Sequence, residues 1–195
     1  MFAVIGLGNP GAAYEHNRHN VGFRVVDHLA ERWGVSVRNA RWNALTGKGI
    51  RDGVEVVLMK PQLFMNRSGL PVSMMLHDLN LSLEDVLVIL DDAALPLGSL
   101  RLRKQGSSGG HNGLNDIIEV LDSDRIPRLR MGIGSSPTYL DLAEWVLSDF
   151  RKSEREIVET MLGRGADSVE EVINRGLDAA MAVVNTRTKE EDSEP

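Results

Sequence analysis

The amino-acid sequence predicts an α/β fold, a single layered domain in which strands alternate with helices. Short apolar runs typical of buried strands recur along the chain, and segments with apolar residues at helical spacing lie between them. Neither an internal repeat nor a linker divides the 195 residues, which suffice for one domain with a full hydrophobic core.

The first half of the chain contains three predicted strands and one predicted helix. FAVIGL (2–7) is a short apolar run and predicts a buried strand. A helix is predicted over 21–34, where apolar residues recur at helical spacing and Gly34 supplies a stop signal. Residues 54–60 and 85–91 contain few polar side chains, as expected of central strands that are covered on both faces.

The second half continues the alternation of strands and helices. Residues 99–104 alternate between apolar and basic side chains after Ser99, which predicts a half-exposed strand. A further strand is predicted over 128–134. Three helices are predicted, over 114–121, 140–147 and 153–187.

Two glycines and a charged terminus limit the last predicted helix. Gly163 and Gly165 weaken its helical pattern, so we expect an interruption near them. The final residues read TKEEDSEP, and a segment with this charge and no apolar side chain is expected to be disordered. The predicted organisation is therefore one domain over 1–187 and a disordered acidic tail over 188–195.

The composition excludes several classes of protein. The chain contains no cysteine, which rules out disulfides and thiolate metal sites and fits a reducing compartment. The N-terminal MFAVIGLGN lacks the basic region of a signal peptide, and no apolar run approaches the roughly 18 residues of a membrane span. We therefore expect a soluble, cytoplasmic protein.

The charge distribution leaves room for a nucleic-acid partner. The formal net charge is −6, but residues 1–135 carry 15 basic and 14 acidic side chains, so the excess acid lies in the C-terminal third. Residues 95–115 contain three basic side chains and no acidic one. Binding depends on the local field more than on the net charge, although a stretch this short can be basic by chance.

The glycine pattern near the N-terminus admits two interpretations. VIGLGNPG matches the dinucleotide-binding spacing G-x-G-x-x-G. However, Pro10 removes a backbone N–H from such a phosphate loop, the following segment has no helical periodicity, and Glu31 falls inside a helical pattern rather than at a strand end. A type II turn over 9–12 with Gly11 at positive φ fits better, and it would place Asn9 at the carboxyl edge of the sheet.

Histidine and aspartate side chains supply candidate catalytic groups. His28 and His77 lie within helical patterns, whereas His16 and His19 lie in the loop after the Asn9 turn. The latter two could be metal ligands three residues apart, but no carboxylate-rich partner motif accompanies them. Asp91 ends a predicted strand, and a carboxylate there could orient a histidine and stabilise its protonated form. The alternative is that Asp91 only caps a loop.

A glycine-rich segment, GSSGG (106–110), matches G-x-S-x-G with Ser108 at its centre. The segment before it is polar rather than an apolar strand, so a flexible loop is the better interpretation than a nucleophile elbow. A loop of this kind lets backbone approach a ligand, and a helix opening near Asn112 would present free N–H groups to phosphate. Asn66, in FMNRSG, could bind a carbonyl or amide or simply form a turn.

Six sequence blocks occur in a fixed order along the chain: GLGNPG, NRHNVG, KPQLFMNRSG, LDDAALPLG, GSSGGHNGL and RLRMGIG. Together they resemble the bacterial-type peptidyl-tRNA hydrolases from about Phe2 to Phe150 and, more loosely, through the C-terminal helices. The resemblance implies a single α/β domain with a twisted mixed β-sheet sandwiched between α-helices. It also implies hydrolysis of the ester that joins a peptide to the tRNA 3′ end, by a monomer without a metal or organic cofactor.

The resemblance also assigns roles to individual residues. It implies that His19 is the general base, that Asp91 orients it and that Asn9 belongs to the same catalytic group. Substrate binding by the matching cleft positions is implied for Tyr14, Met65, Asn66 and Asn112. Contact with tRNA phosphate is implied for Arg103 and Arg130.

The chain departs from the pattern of its relatives in two places. Ala93 and Ala94 stand where relatives usually carry a further acid, which alters the charge of that rim of the site. Asn115 stands where a basic residue is common, which weakens the expectation of a phosphate contact from that helix.

Two alternative functions remain open from the sequence. One is a non-catalytic RNA-binding protein of the same fold, and the other is a serine esterase that acts through Ser108. A dinucleotide binder is a third and weaker alternative. The presence of Asn9, His19 and Asp91 together favours the hydrolase.

Overall fold

A seven-stranded mixed β-sheet organises the protein, for which a computed structural model describes the backbone of residues 1–191 and the side chains of 1–186. The strands are β1 (Phe2–Gly6), β2 (Asn39–Arg41), β3 (Ala44–Arg51), β4 (Val54–Pro61), β5 (Val86–Asp92), β6 (Leu100–Arg103) and β7 (Arg128–Gly132). The helices are α1 (Val21–Trp33), α2 (Gly69–Leu79), α3 (Asn112–Leu121), α4 (Leu142–Val146) and α5 (Arg155–Glu191). Within this described part, no helix combines the length and apolar character needed to cross a membrane.

The sheet has a parallel centre and antiparallel edges. Its strand order is β2-β3-β4-β1-β5-β7-β6. Strands β4, β1, β5 and β7 run parallel, whereas β2, β3 and β6 pair in the antiparallel direction. The carboxyl ends of the four central strands therefore meet at one edge, which is where open α/β sheets bind ligands.

Both faces of the sheet are covered by helices. In the central strand β1, Val4 belongs to an apolar cluster that includes α1 and α5, whereas Ile5 belongs to a second cluster that includes α2 and α3. The same alternation recurs at Leu58 and Met59 of β4, because successive side chains of a strand point to opposite faces. The expected α/β fold, with one mixed sheet sandwiched between helices, is confirmed.

Close contact between β1 and α1 explains two of the motif glycines. A Cβ atom on Gly6 would lie 2.2 Å from the carbonyl oxygen of Gly22, and one on Gly22 would lie 2.4 Å from that of Ile89. Neither distance leaves room for a side chain, so the glycines let α1 pack directly onto the strand ends. Gly11 has the predicted positive φ of 107°, but its ψ of 148° departs from a type II turn.

Two strands, β2 and β3, are absent from the sequence prediction. They form a pair of hairpins with β4, and the two connecting turns consist of residues with positive φ. Trp42 and Asn43 make the first turn, and Asp52 and Gly53 make the second. Positive φ at both positions is the geometry that matches the twist of the flanking strands.

The predicted interruption of the last helix is at the wrong glycines. Helix α5 runs through Gly163 and Gly165, and its backbone leaves helical geometry at Gly176, where φ is 78° and ψ is 162°. The helical backbone continues to Glu191 and so enters the acidic segment 188–195. The prediction of a disordered tail otherwise falls on 192–195, which lie outside the described residues.

The C-terminal part of α5 protects the open edge of β6. The side chain of Asn185 accepts a hydrogen bond from the N–H of Leu102 at 2.9 Å and donates one to its carbonyl oxygen at 3.1 Å. These are the backbone groups that an edge strand otherwise exposes to a further strand. The amide thus replaces a neighbouring strand on the side of β6 that faces away from β7.

Candidate active site

Three chain segments bring polar side chains to the carboxyl edge of the central strands. His19 lies in a short 3₁₀ turn, Arg18–Asn20, between β1 and α1. Asp91 lies near the end of β5, and His111 directly precedes α3. This is the edge at which the sequence predicts a site, and it places side chains distant in the sequence next to one another.

His19 and Asp91 form a buried hydrogen-bonded pair. The distance between His19 Nδ1 and Asp91 Oδ1 is 2.7 Å, and the two residues are 7% and 4% exposed. Since an ionised carboxylate can only accept, His19 donates through Nδ1–H, which leaves its Nε2 lone pair free to accept a proton. The geometry is that of a base held in one tautomer by a carboxylate.

Asp91 also accepts a hydrogen bond from His111. His111 Nε2 lies 3.0 Å from the same Oδ1 atom, and His111 Nδ1 accepts from the backbone N–H of Leu114 at 3.2 Å as the N-cap of α3. Because Nδ1 accepts, the proton of neutral His111 must be on Nε2. Burial raises the pKa of Asp91, but the neighbouring His111 and His19 outweigh burial and hold that pKa well below its usual range.

The same three side chains have the spacing of a metal site. The candidate ligand atoms of His19, Asp91 and His111 lie within 4.8 Å of one another. However, metal binding through His111 Nε2 would require a proton on Nδ1. That proton would point at the backbone N–H of Leu114, from which Nδ1 now accepts a hydrogen bond. The hydrogen bonds of the cluster therefore suit a proton network better than a metal. His16 is exposed and does not belong to the cluster.

Asn9 is fixed against the turn that carries His19 by its own amide and backbone. Its backbone N–H donates to Asn20 Oδ1 at 2.9 Å, and Asn20 Nδ2 donates to the Asn9 carbonyl at 2.9 Å. Its side-chain Oδ1 accepts from the backbone N–H of Met65 at 2.8 Å. Among the described residues Asn9 Nδ2 has no acceptor, so a buried amide donor remains available to a ligand.

The other proposed substrate contacts surround these groups at different depths. Met65 is buried, and its Sδ would lie 2.5 Å from a Cβ on Gly113, so it packs against the start of α3. Asn66 and Asn112 are exposed. Tyr14 is half-buried and meets exposed Phe64 edge to face, with ring centroids 6.3 Å apart.

Two cavities adjoin the cluster. The first, of about 530 Å³, is lined by His19, Asp91, His111, Asn112 and Arg130 and is closed on one side by α4. The second, of about 560 Å³, is lined in part by Asn9. Several predicted site residues line neither cavity, namely Tyr14, Met65, Asn66 and Arg103.

Arginines occupy one face of the sheet edge beside the first cavity. Arg101 lies opposite Arg130, and Arg103 opposite Arg128, in the β6–β7 ladder. Arg130 Nε pairs with Asp92 Oδ2 at 2.6 Å, whereas Arg103 is exposed. Like charges directly opposite one another repel, so this face is suited to a polyanion.

Arg128 differs from its neighbours in being buried. It donates to the carbonyl oxygens of Gly106 at 2.8 Å and Asp124 at 3.1 Å, and burial lowers its pKa to about 10. Both acceptors belong to loops at the sheet edge. Arg128 therefore supports the glycine-rich loop rather than a ligand.

Ser108 has no geometry for a nucleophile. Its Oγ lies 3.4 Å from Asn115 Oδ1 and 3.4 Å from the N–H of Gly110. Both ring nitrogens of the adjacent His111 are engaged with Asp91 and Leu114, so this histidine cannot deprotonate the serine. Asn115 itself donates to Glu119 at 2.7 Å.

Ala93 and Ala94, the first departure from the family pattern described above, line the first cavity. Asp92 directly precedes them, and its Oδ1 accepts a hydrogen bond from the backbone N–H of Ala94 at 2.9 Å. Small apolar side chains therefore stand at this rim of the cavity. Asp92 supplies the carboxylate that holds Arg130.

Three residues that contact predicted site residues are missing from the sequence prediction: Asn20, Asp92 and His111. Each acts on a predicted site residue, namely Asn9, Arg130 and Asp91. The available signal for His111 is its place directly before a predicted helix, where a side-chain acceptor caps the first turn. Asn20 and Asp92 adjoin predicted residues in the sequence, but their partners lie in other segments.

Together, the sheet and its edge define an α/β protein with a histidine–carboxylate pair, a buried amide donor and a Ser108 that lacks the geometry of a nucleophile. A model of the peptidyl-tRNA hydrolase family matches residues 3–192. A peptidyl-tRNA hydrolase from a Thermoanaerobacter species is 44% identical over 185 residues, which cover 95% of this chain and all of that protein. The chain therefore belongs to the peptidyl-tRNA hydrolase family.

Solved structures agree with this assignment. The crystal structure of peptidyl-tRNA hydrolase from Acinetobacter baumannii superposes with a TM-score of 0.89 at 31% identity, covering 95% of this chain and 94% of that one. A 5′-methylthioadenosine nucleosidase from Arabidopsis thaliana, with a TM-score of 0.52 at 8% identity, covers 92% of this chain and 99% of that one. The second likeness concerns the fold alone.

Proposed function

We propose that this protein hydrolyses the ester bond between peptide and tRNA in peptidyl-tRNA, with water activated by His19. The observation that carries the mechanism is the 2.7 Å hydrogen bond that orients His19 on Asp91 inside a cleft. Family membership supplies the substrate, and the geometry supports the roles of the residues.

In the proposed reaction, His19 Nε2 takes a proton from water while the water oxygen bonds to the ester carbonyl carbon. The carbonyl π electrons move to its oxygen, and we assign Asn9 Nδ2, which has no acceptor among the described residues, as the donor to the resulting oxyanion. Collapse of this intermediate breaks the bond to the ribose oxygen, which receives the proton from the His19 imidazolium. The products are the peptide with a free carboxylic acid, which releases its proton to solvent to become the carboxylate, and tRNA with a free 3′-terminal ribose hydroxyl.

Asp91 supports both protonation states of the base. It holds neutral His19 in the tautomer with Nε2 free and stabilises the imidazolium that forms during the reaction. General-base assistance of this kind contributes about 10²–10⁴-fold to the rate. Neither step requires a covalent nucleophile.

Substrate recognition is proposed to divide between peptide and RNA. Met65, Asn66 and Asn112 would contact the acyl group and peptide, and half-buried Tyr14 would contact the RNA end. Arg103 and Arg130 would bind phosphates of the tRNA acceptor end, a contact that depends on salt but not on nucleotide sequence.

The remaining proposals concern the state of the protein. We infer that it acts as a monomer, because both cavities and the histidine–carboxylate pair are formed by one chain. A cytoplasmic location is inferred because the substrate is a tRNA and the chain contains no cysteine.

The decisive experiment compares an N-blocked aminoacyl-tRNA with its free-amine form as substrates of the purified protein. We expect cleavage of the blocked ester and little cleavage of the free-amine ester. His19→Ala should lower kcat by about 10²–10⁴-fold while tRNA binding is retained. His77→Ala, which alters an exposed histidine of α2, serves as the matched control.

The alternatives make different predictions in the same assay. Native protein that binds tRNA without cleaving the blocked ester would indicate the non-catalytic RNA-binding protein. Loss of activity in Ser108→Ala, with activity retained in His19→Ala, would indicate the serine esterase. The geometry of Ser108 leads us to expect nearly full activity in the serine variant.

A further inference from the structure

Arg18 is a completely buried charged residue directly before His19. Its exposed fraction is 0%, and its guanidinium pairs with Glu154 at a distance of 2.7 Å. The same group donates to the Ser148 hydroxyl at 3.3 Å and to the Ile133 carbonyl at 3.4 Å. One side chain thus joins the turn of His19 to three segments that lie far away in the sequence.

Two aromatic rings complete the enclosure of the guanidinium. The centre of the group lies 3.7 Å from the Trp145 ring centroid and 4.5 Å from that of Phe150. Trp145 is itself fixed by a 2.8 Å hydrogen bond from its indole N–H to the carbonyl of Gly134. A planar cation stacks on such rings and still directs its N–H groups outward to acceptors.

The backbone reinforces this connection. The N–H of Arg18 donates to the carbonyl of Ser148 at 3.0 Å, and Asn17 forms an antiparallel bridge with Asp149. Asn17 Nδ2 also donates to the carbonyl of Leu147. The strand-like segment after α4 is therefore paired with the residues that lead into His19.

Helix α4 connects Arg18 to the cleft. Trp145 points to Arg18, while Leu142, Ala143 and Val146 of the same helix line the first cavity together with His19. We propose that Arg18 is a positioning residue that locks the His19 turn to the α4 wall of the cleft. The proposal rests on the role assigned to His19 above.

A buried ion pair is by itself weak evidence of a role in stability. Replacing both partners by apolar residues of similar volume is often neutral or stabilising, whereas removing one partner leaves the other charge buried and unpaired. A lysine could keep the pair with Glu154 but could not form the planar stack and the fork of hydrogen bonds. Arg18 is thus suited to fixing one arrangement of the segments around it.

The test uses Arg18→Lys and Arg18→Met, each compared with the same change at Arg24. Arg24 is a matched control because it also pairs with a glutamate of α5, Glu159, at 2.7 Å, and lies 6.0 Å from the Phe150 ring. Unlike Arg18, it is partly exposed and lies on α1 beyond the His19 turn.

We expect kcat to fall by about tenfold in Arg18→Lys and about 10²-fold in Arg18→Met, with KM changed less than about twofold. The Arg24 variants should keep kcat within about twofold. The downfield proton resonance of His19 Nδ1–H, identified by its absence in His19→Ala, should broaden or disappear in Arg18→Met. It should persist in Arg24→Met.

Glu154→Gln provides a second route if Arg18→Met does not fold. It removes the charge partner but keeps the shape, and it should lower kcat in the same direction as Arg18→Lys. Folded Arg18 variants with the kcat and proton resonance of the Arg24 controls would overturn the positioning role. Full activity in His19→Ala would instead overturn the proposed mechanism, so the two failures are distinct.

Discussion

Asn9 and Asn20 hold each other by two reciprocal hydrogen bonds across the chain turn between them. The backbone N–H of Asn9 donates to Asn20 Oδ1, and Asn20 Nδ2 donates to the Asn9 carbonyl, both at 2.9 Å. Asn20 directly follows His19, so the pair fixes the end of β1 against the turn that carries the base. The buried amide of Asn9 and the imidazole of His19 are thereby held in one arrangement.

Replacement of Asn20 should lower turnover without altering substrate affinity. In Asn20→Ala both hydrogen bonds to Asn9 are lost, and misplacement of catalytic groups by about 1 Å can cost about 10²-fold in rate. We expect kcat to fall by about 10- to 100-fold and KM to change little, as measured with an N-blocked aminoacyl-tRNA. The control is Asn80→Ala, an exposed residue after α2. A rise in KM at unchanged kcat would contradict this role.

Two substitutions at His111 should separate its structural and its catalytic contribution. Asparagine can cap α3, whereas alanine cannot, so His111→Ala should lose about 1 kcal/mol of unfolding free energy and His111→Asn much less. Both variants lose the hydrogen bond to Asp91 and should lower kcat by about tenfold. Urea unfolding and steady-state kinetics provide the two measurements. Equal kcat in His111→Asn and native protein would show that only the cap matters.

The strands with continuous apolar runs could be located from the sequence, because burial on both faces requires apolar side chains at every position. Strand β5 is the clearest example, since its first five residues, VLVIL, are apolar and buried. Strand β3 carries no such pattern, because Gly47 and Gly49 pack under Val35 and a Cβ on Gly47 would lie 2.6 Å from the carbonyl of Ser36. The dipeptide Asp52-Gly53 was its local signal, as a typical hairpin turn.

The site residues also differ in whether the local sequence or only the three-dimensional fold reveals them. Asp91 could be predicted as a candidate because it ends a predicted strand, where ligand sites collect. The general-base role of His19 could be predicted only from the resemblance of its NRHNVG block to the family. Arg18 could not, since its partners Ser148 and Glu154 lie 130 and 136 residues away and only the fold brings them together. Buried polar residues of this kind are recognised by the contacts they make, which no local pattern records.

Acidification should remove the stability contributed by the Asp91 carboxylate. Burial raises its pKa, but His111 and His19 lower it further, so the net pKa lies below the ordinary value of about 3.9. The unfolded chain then binds the proton more tightly, so the contribution is complete above about pH 4 and declines as the pH falls toward the lowered pKa. The gap in unfolding free energy between native protein and Asp91→Asn should narrow below about pH 4. Asp178→Asn, at an exposed ion pair, should show a small gap throughout.

Salt dependence should reveal the proposed phosphate contacts of Arg103 and Arg130. Each phosphate contact that is lost reduces the slope of log K against log salt concentration by about 1. Arg103→Gln and Arg130→Gln should each weaken tRNA binding and lower this slope, measured by fluorescence titration. Arg175→Gln, which alters an exposed arginine of α5, should leave it unchanged. Weaker binding with an unchanged slope would assign the two arginines to the fold rather than to phosphate.

Alanine substitutions at Gly163 and Gly176 of α5 should have opposite effects on the stability of the protein. Gly163 lies in continuous helix with no atom within 4 Å of an added Cβ, so Gly163→Ala should stabilise the protein by roughly 0.5–1 kcal/mol. Gly176 has φ 78° and ψ 162°, a conformation nearly restricted to glycine, so Gly176→Ala should destabilise it by about 1–3 kcal/mol. Denaturant unfolding of both variants measures the difference. Destabilisation by Gly163→Ala together with tolerance of Gly176→Ala would place the break where the sequence pattern alone predicts it.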